Sequence, residues 1–104
     1  MTYKLTFLPS AKKEWDKLDN AICLKLKKKI LERLATPRVQ KDKLKNMLEC
    51  YRIKLRSDGY RLVYQVDDGE NTLLVICVGR RDHNDVYEMA YARIFNSDKD
   101  LTIK

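Results

Sequence analysis

The sequence predicts a small α+β domain, and three observations predict it. Tyr3, Leu5 and Phe7 alternate with Lys4 and Thr6, the period-two signature of a strand with one covered face. Ile22, Leu26, Ile30 and Leu34 recur every four residues, as in an amphipathic helix. From Cys50 to Val78 three strand-like runs are separated by the turn signals Ser57-Asp58-Gly59 and Asp67-Asp68-Gly69. The expected order is an N-terminal strand, a helical hairpin, a three-stranded antiparallel meander and a C-terminal helix. Residues 1–95 would form one domain and 96–104 a polar tail carrying Leu101 and Ile103.

Pro9 should end the first strand and Ser10 should cap a short helix in which Ala11, Trp15 and Leu18 share a face. Asp19-Asn20 breaks and re-caps the chain. The longer helix that follows is supported by Cys23, Leu24 and Leu31, and Pro37 stops it by restricting the residue before it. The polar stretch from Arg38 to Glu49 reads as a loop anchored by Leu44, Met47 and Leu48. In the meander, Tyr51, Ile53 and Leu55 point one way and Arg52, Lys54 and Arg56 the other, while Arg61, Val63 and Gln65 oppose Tyr60, Leu62, Tyr64 and Val66. Leu73 to Val78 is apolar almost throughout, as a central strand covered on both faces would be. Gly79-Arg80-Arg81-Asp82-His83 then leaves the sheet. Asn84 or Asp85 caps the last helix, whose periodic face is Val86, Met89, Ala90, Arg93 and Ile94.

Twenty-two Lys and Arg against fifteen Asp and Glu give a formal charge of +7 on 104 residues, which points to a polyanionic partner or simply to a well-solvated surface. Cys23, Cys50 and Cys77 are odd in number and sit in apolar patterns, so they read as buried thiols in a reducing cytosol. Met1-Thr2-Tyr3-Lys4 leads straight into the first strand and no apolar run approaches bilayer length. A cytoplasmic protein without a signal peptide or a membrane partner is therefore expected.

The chemistry is expected where charge is concentrated. Arg52, Lys54 and Arg56 are three alternate cations on one strand, and Arg61 extends the row if the next strand turns the same face. Pattern alone leaves two readings, a solvated sheet surface or a surface that binds phosphates. Arg80 and Arg81 follow the last strand, and Tyr87 falls in the first turn of the final helix, at the positive end of its dipole. By itself Tyr87 suits a half-buried packing role. As a base at pH 7 a phenol needs its anion stabilised by roughly 4 kcal/mol, at 1.36 kcal/mol per pKa unit, a good part of which several neighbouring cations could supply. A single histidine, His83, excludes a two-histidine ribonuclease, and no carboxylate cluster has metal-ligand spacing, so neither a metal nor a cofactor is expected. RNA remains cleavable without a metal because its own 2′-hydroxyl can attack the adjacent phosphate, given a base, an acid and charge stabilisation.

The run from Cys50 to Val66, Lys13-Glu14-Trp15 upstream, and Val78-Gly79-Arg80-Arg81 with Val86-Tyr87 downstream closely resemble RelE toxins of the RelE/ParE superfamily, without evident gap from about Tyr3 to Ile94. The resemblance implies a ribosome-dependent mRNA interferase that cuts messenger in the decoding site of the 70S ribosome. It also implies a RelB-like antitoxin that holds the toxin inactive, the free protein being a monomer and the complex a hetero-oligomer. By the same resemblance Tyr87 looks like the base toward the 2′-hydroxyl and Arg81 like the acid or charge partner of the departing 5′-oxygen. Lys54 and Arg61 look like stabilisers of the phosphorane and of the ionised tyrosine. Arg52 stands where close relatives have lysine, so it can clamp phosphate but is a poor acid or base. His83 and Lys45 each stand where an arginine is usual. Lys45, Arg56, Arg80, His83 and the helix lysines Lys25, Lys28 and Lys29 are the expected contacts to messenger and ribosomal RNA. Two alternatives remain: a gyrase-inhibiting toxin on the same scaffold, and a non-catalytic nucleic-acid-binding module. The last helix and the tail, as the least anchored parts, are where an antitoxin is expected to displace or cover the domain.

Overall fold

In the computed structural model, residues 2–45, 47–80 and 86–94 are described. The elements run β1 (Lys4–Phe7), α1 (Pro9–Asp16), α2 (Asn20–Ala35), a 3₁₀ turn (Gln40–Asp42), β2 (Cys50–Leu55), β3 (Tyr60–Asp67), β4 (Thr72–Arg80) and a final helix, α3 (residues 86–94). The expected α+β order is present. The tail 96–104, Arg81, His83 and the cap at Asn84 or Asp85 lie outside the described residues.

The sheet has four strands in the order β1-β4-β3-β2, with β1 parallel to β4 and the meander antiparallel. One face carries Tyr51, Ile53, Leu55, Leu62, Tyr64, Val66, Leu73, Val75 and Val78 beneath α1 and α2, which contribute Ala11, Ile22, Leu26 and Ile30. The opposite face carries Cys50, Val63, Ile76 and Cys77 beneath Val86 and Ala90 of α3, with Met47 alongside. Covered on both sides, β4 is apolar at successive positions, as its composition predicts.

Several local expectations are corrected. α1 starts at Pro9, with Leu8 as its N-cap rather than Ser10, because the fixed φ of proline suits the first helical position. Leu24 and Leu31 are 66% and 60% exposed, so the buried stripe of α2 is narrower than its apolar content. The Arg38–Glu49 stretch contains the 3₁₀ turn and an isolated bridge from Lys43 to Tyr51. Gly59 takes the positive φ of the first turn at +72°, but in the second turn Asn71 takes it, at 55°, and not Gly69. β4 does not end before Gly79: Gly79 pairs with Arg61 and Arg80 with Tyr60. The cysteines occupy α2, β2 and β4, and Cys23 is only half-buried.

Two features fix α3 on the sheet. The β3–β4 register shifts between Val63 and Tyr64, leaving Ile76 as an extra residue, so that Ile76 and Cys77 both serve the α3 face. At Gly79 an added Cβ would lie 2.8 Å from Val86 Cγ2, so the absence of a side chain there is what lets α3 approach. The far end of α3 is held as well. Arg93 donates to both Glu14 carboxylate oxygens at 2.9 and 2.8 Å and to the Ile76 carbonyl at 2.8 Å, and the Val78 N–H donates to Glu14 Oε1 at 3.1 Å. β1 pairs only as far as Val75, so Glu14 and Arg93 satisfy backbone groups of β4 beyond it. The described part of the last helix is thus clasped to α1, contrary to the expectation that it is among the least anchored elements.

Gly79→Ala should cost about 1–3 kcal/mol of stability by overpacking against Val86. Adding Val86→Ala should recover part of that loss, as urea melts of the two variants will read. In the native protein a thiol reagent should label Cys23 well ahead of Cys50 and Cys77, whose thiols burial pushes up to about 12. Unfolding should expose all three.

Candidate active site

β2 and β3 place the cationic residues by register. Lys54 stands directly opposite Arg61, and Arg52 opposite Val63, all on the α3 face, since the alternate residues Tyr51, Ile53 and Leu55 are committed to the other core. The two strands therefore present one row of cations. Arg61 is 9% exposed and donates through Nη1 to the Tyr60 carbonyl at 3.0 Å, while Arg56 is exposed at the end of β2. The Lys54 ammonium is held below its ordinary pKa, first by the charge of Arg52, then by desolvation, then by Arg56 and Arg61; Asp42 opposes the shift. That depression is the electrostatic mark of four cations sharing one place.

The row is less purely basic than its sequence suggests. Asp42, from the 3₁₀ turn, is 8% exposed and accepts from Arg33 Nη2 at 2.6 Å; its other oxygen lies 3.5 Å from Arg52 Nε. Arg33 in turn donates from Nη1 to the Arg52 carbonyl and to the Tyr64 hydroxyl, both at 2.9 Å, and the Tyr64 hydroxyl donates to the Pro37 carbonyl at 2.5 Å. The acid that sequence spacing along the strand does not supply thus comes from the side. Asp42 and Arg33 were not among the expected site residues, and no signal in the linear sequence pairs them across the loop.

Tyr87 follows Val86 on α3, is half-buried, and packs against the cluster that contains Cys50 and Val63. Those two are the same-face strand neighbours of Arg52 and Arg61, so Tyr87 belongs to the face that carries the cations. From there the basic surface continues around the open edge of β2 into a groove of about 870 Å³. Lys29 of α2, Lys41 and Asp42 of the 3₁₀ turn, and Arg52, Lys54 and Arg56 of β2 line it. Lys28 and Lys45 are exposed elsewhere on the surface.

Two further expected contacts also lie apart from this row. Arg80 is paired with Tyr60 on the helical-hairpin face, its guanidinium 5.9 Å from the centre of that ring. Lys25 reaches the β2–β3 turn, where its ammonium lies 2.8 Å from Asp58 Oδ2. Among the described residues no group of three or more His, Cys, Asp or Glu could hold a metal ion, and no helix is long and apolar enough to cross a membrane.

Residues 5–85 match the family model of the ParE toxin of type II toxin–antitoxin systems (parDE). The mRNA interferase toxin RelE of Escherichia coli K12 is 50% identical over 94 residues, which cover 90% of this chain and 99% of the relative; a putative RelE-like toxin protein of Escherichia coli is 43% identical over the same length. Among solved structures, a variant of E. coli toxin RelE in the free state superposes with a TM-score of 0.83 at 49% identity, covering 90% of this chain and 99% of that one. The toxin of the intact E. coli RelBE toxin–antitoxin complex gives 0.74 at 51% identity, covering 75% and 95%. By sequence over nine-tenths of its length and by fold, the chain belongs to the RelE toxins of type II toxin–antitoxin systems.

Proposed function

We propose that the protein is an mRNA interferase that enters the decoding site of a translating ribosome and cuts the messenger there. The observation that carries the reading is the set of cations around Lys54 on the sheet face that α3 covers, with Tyr87 on that helix. A surface of this kind suits a phosphodiester passing through a doubly charged phosphorane, whose stabilisation is the largest demand of the reaction. The 2′-oxygen attacks the adjacent phosphorus and gives up its proton to Tyr87. The bond to the 5′-oxygen breaks, and that oxygen leaves protonated, with Arg81 as its acid or charge partner. The products are a 2′,3′-cyclic phosphate and a 5′-hydroxyl. Lys54 and Arg61 stabilise the phosphorane and the tyrosinate, and Arg52 clamps a neighbouring phosphate of the messenger backbone.

Phenol and guanidinium are poorly matched to neutral pH, so alignment of the 2′-oxygen by the ribosome supplies much of the rate, an effect worth roughly 7–11 kcal/mol in well-oriented systems. Arg56 and Lys29, which share the groove with Lys54, extend the path for the messenger backbone; Lys25, Lys28, Lys45, Arg80 and His83 contact ribosomal RNA. The E. coli relative is known in complex with its antitoxin, which supports a RelB-like partner here in the cytosol; an acidic or amphipathic segment would match the basic face.

Tyr87→Phe should lower cleavage of ribosome-bound messenger at least a hundredfold with ribosome binding kept, since a general base contributes about 10²–10⁴ in rate. Equal cutting by both proteins removes Tyr87 from the chemistry. Intact messenger with accumulating gyrase–DNA complexes would select a gyrase poison instead. The pH profile gives a second check. Lys54 acts in its charged form and its pKa is depressed, so activity should fall as pH rises through that lowered value. Lys54→Arg, which stays charged, should carry the fall to higher pH in single-turnover assays.

A further inference from the structure

A carboxylate buried among cations on a surface meant for phosphate works against binding unless it does something else. Asp42 is 8% exposed and its position is not accidental. Arg33 Nη2 holds one oxygen at 2.6 Å, and Arg33 is itself fixed by the Arg52 carbonyl and the Tyr64 hydroxyl, with its guanidinium 5.8 Å from the Tyr64 ring centre. The Tyr64 hydroxyl is anchored in turn on Pro37. The charge of Asp42 is therefore held rigidly from the core side. Its free oxygen faces Arg52 Nε at 3.5 Å, an atom that is buried and makes no hydrogen bond. The contact is an attraction without a directional lock, and the Arg52 side chain as a whole keeps 29% of its exposure.

We propose that Asp42 is a positioning residue: clamped by Arg33, it draws the Arg52 guanidinium toward the outer edge of β2 and leaves Lys54 and Arg61 to face the scissile phosphate. The proposal rests on the nuclease reading for its catalytic consequence, though not for its geometry. Arginine at position 52 is bulkier and more diffuse in charge than lysine, so an unrestrained guanidinium would crowd Lys54 on the same strand face. The charged groups that bear on Lys54 are Arg52 and Arg56 from the β2 strand and its end, Arg61 from β3 and Asp42 from the 3₁₀ turn; those on Asp42 include Arg33 from α2, Arg52 and Lys54. Asp42 alone among them opposes the repulsion.

The test follows Lys54 directly, by NMR titration of its side chain in the full chain, for the parent, Asp42→Asn, Arg52→Ala and the double variant. Asp42→Asn should move the Lys54 titration to lower pH, and should move it by less than half as much when Arg52 is already alanine. On ribosomes, Asp42→Asn should move the alkaline limb of the cleavage profile to lower pH and lower the rate at pH 7 severalfold. Equal shifts in both backgrounds would reduce Asp42 to a point charge, and no shift in either would leave it a scaffold residue; both overturn the proposal. If Asp42→Asn does not fold, the parent decides: Arg52 Nε–H should be markedly less mobile than Arg56 Nε–H, and equal mobility is fatal. A parent that leaves messenger uncut while its titration behaves as described would defeat the nuclease reading and spare this one.

Discussion

Lys54 and Arg61 stand opposite one another on paired strands, and everything about the site depends on the sheet holding two like charges in register. Like charges directly opposite one another destabilise an antiparallel ladder. On the reverse of the same strands, Tyr51, Ile53, Leu55, Leu62 and Tyr64 are buried under the helical hairpin, and each such side chain contributes about 1.5–3 kcal/mol. Burial wins by a wide margin. A one-residue slip would relieve the repulsion but turn the whole apolar set away from the helical hairpin, so the register cannot adjust. The core of one face thereby fixes an electrostatically unfavourable arrangement on the other.

The second constraint is where α3 meets that arrangement. The extra residue at Ile76 re-phases β4 so that Gly79 comes opposite Arg61, and Gly79 is the position where a side chain would collide with Val86. The bulge and the glycine together seat the start of the described helix, and Tyr87 with it, on the sheet face that carries the cationic row. Glu14 and Arg93 hold the other end while satisfying the strand groups that β1 leaves uncovered. A helix so attached at both ends is a firm platform for Tyr87, and an antitoxin that displaced it would have to replace a bidentate ion pair and the burial of Val86 and Ala90.

The faces of the meander were legible because strand alternation is strict: Arg52, Lys54 and Arg56 must oppose Tyr51, Ile53 and Leu55, whatever the strands pair with. The end of β4 was not legible, because Gly79 and Arg80 look like the start of a loop until Arg61 and Tyr60 are seen to pair with them. Arg80 then goes over the ring of Tyr60, a destination that depends on a neighbouring strand and not on its own neighbours in the chain. The same holds for the anchoring of α3, in which Glu14 and Arg93 meet from near opposite ends of the chain.

Sequence by itself determined the elements, the two-faced character of the sheet and the density of positive charge, since periodicity and composition are local properties of the chain. Only the tertiary structure decided the strand order, the partner of Arg52 and the fit of Val86 over Gly79. Those depend on which distant groups share a few ångströms. Asp42 shows the difference most plainly: in the sequence it is one acid in a basic loop, and in the fold it is a buried charge between two arginines of different elements.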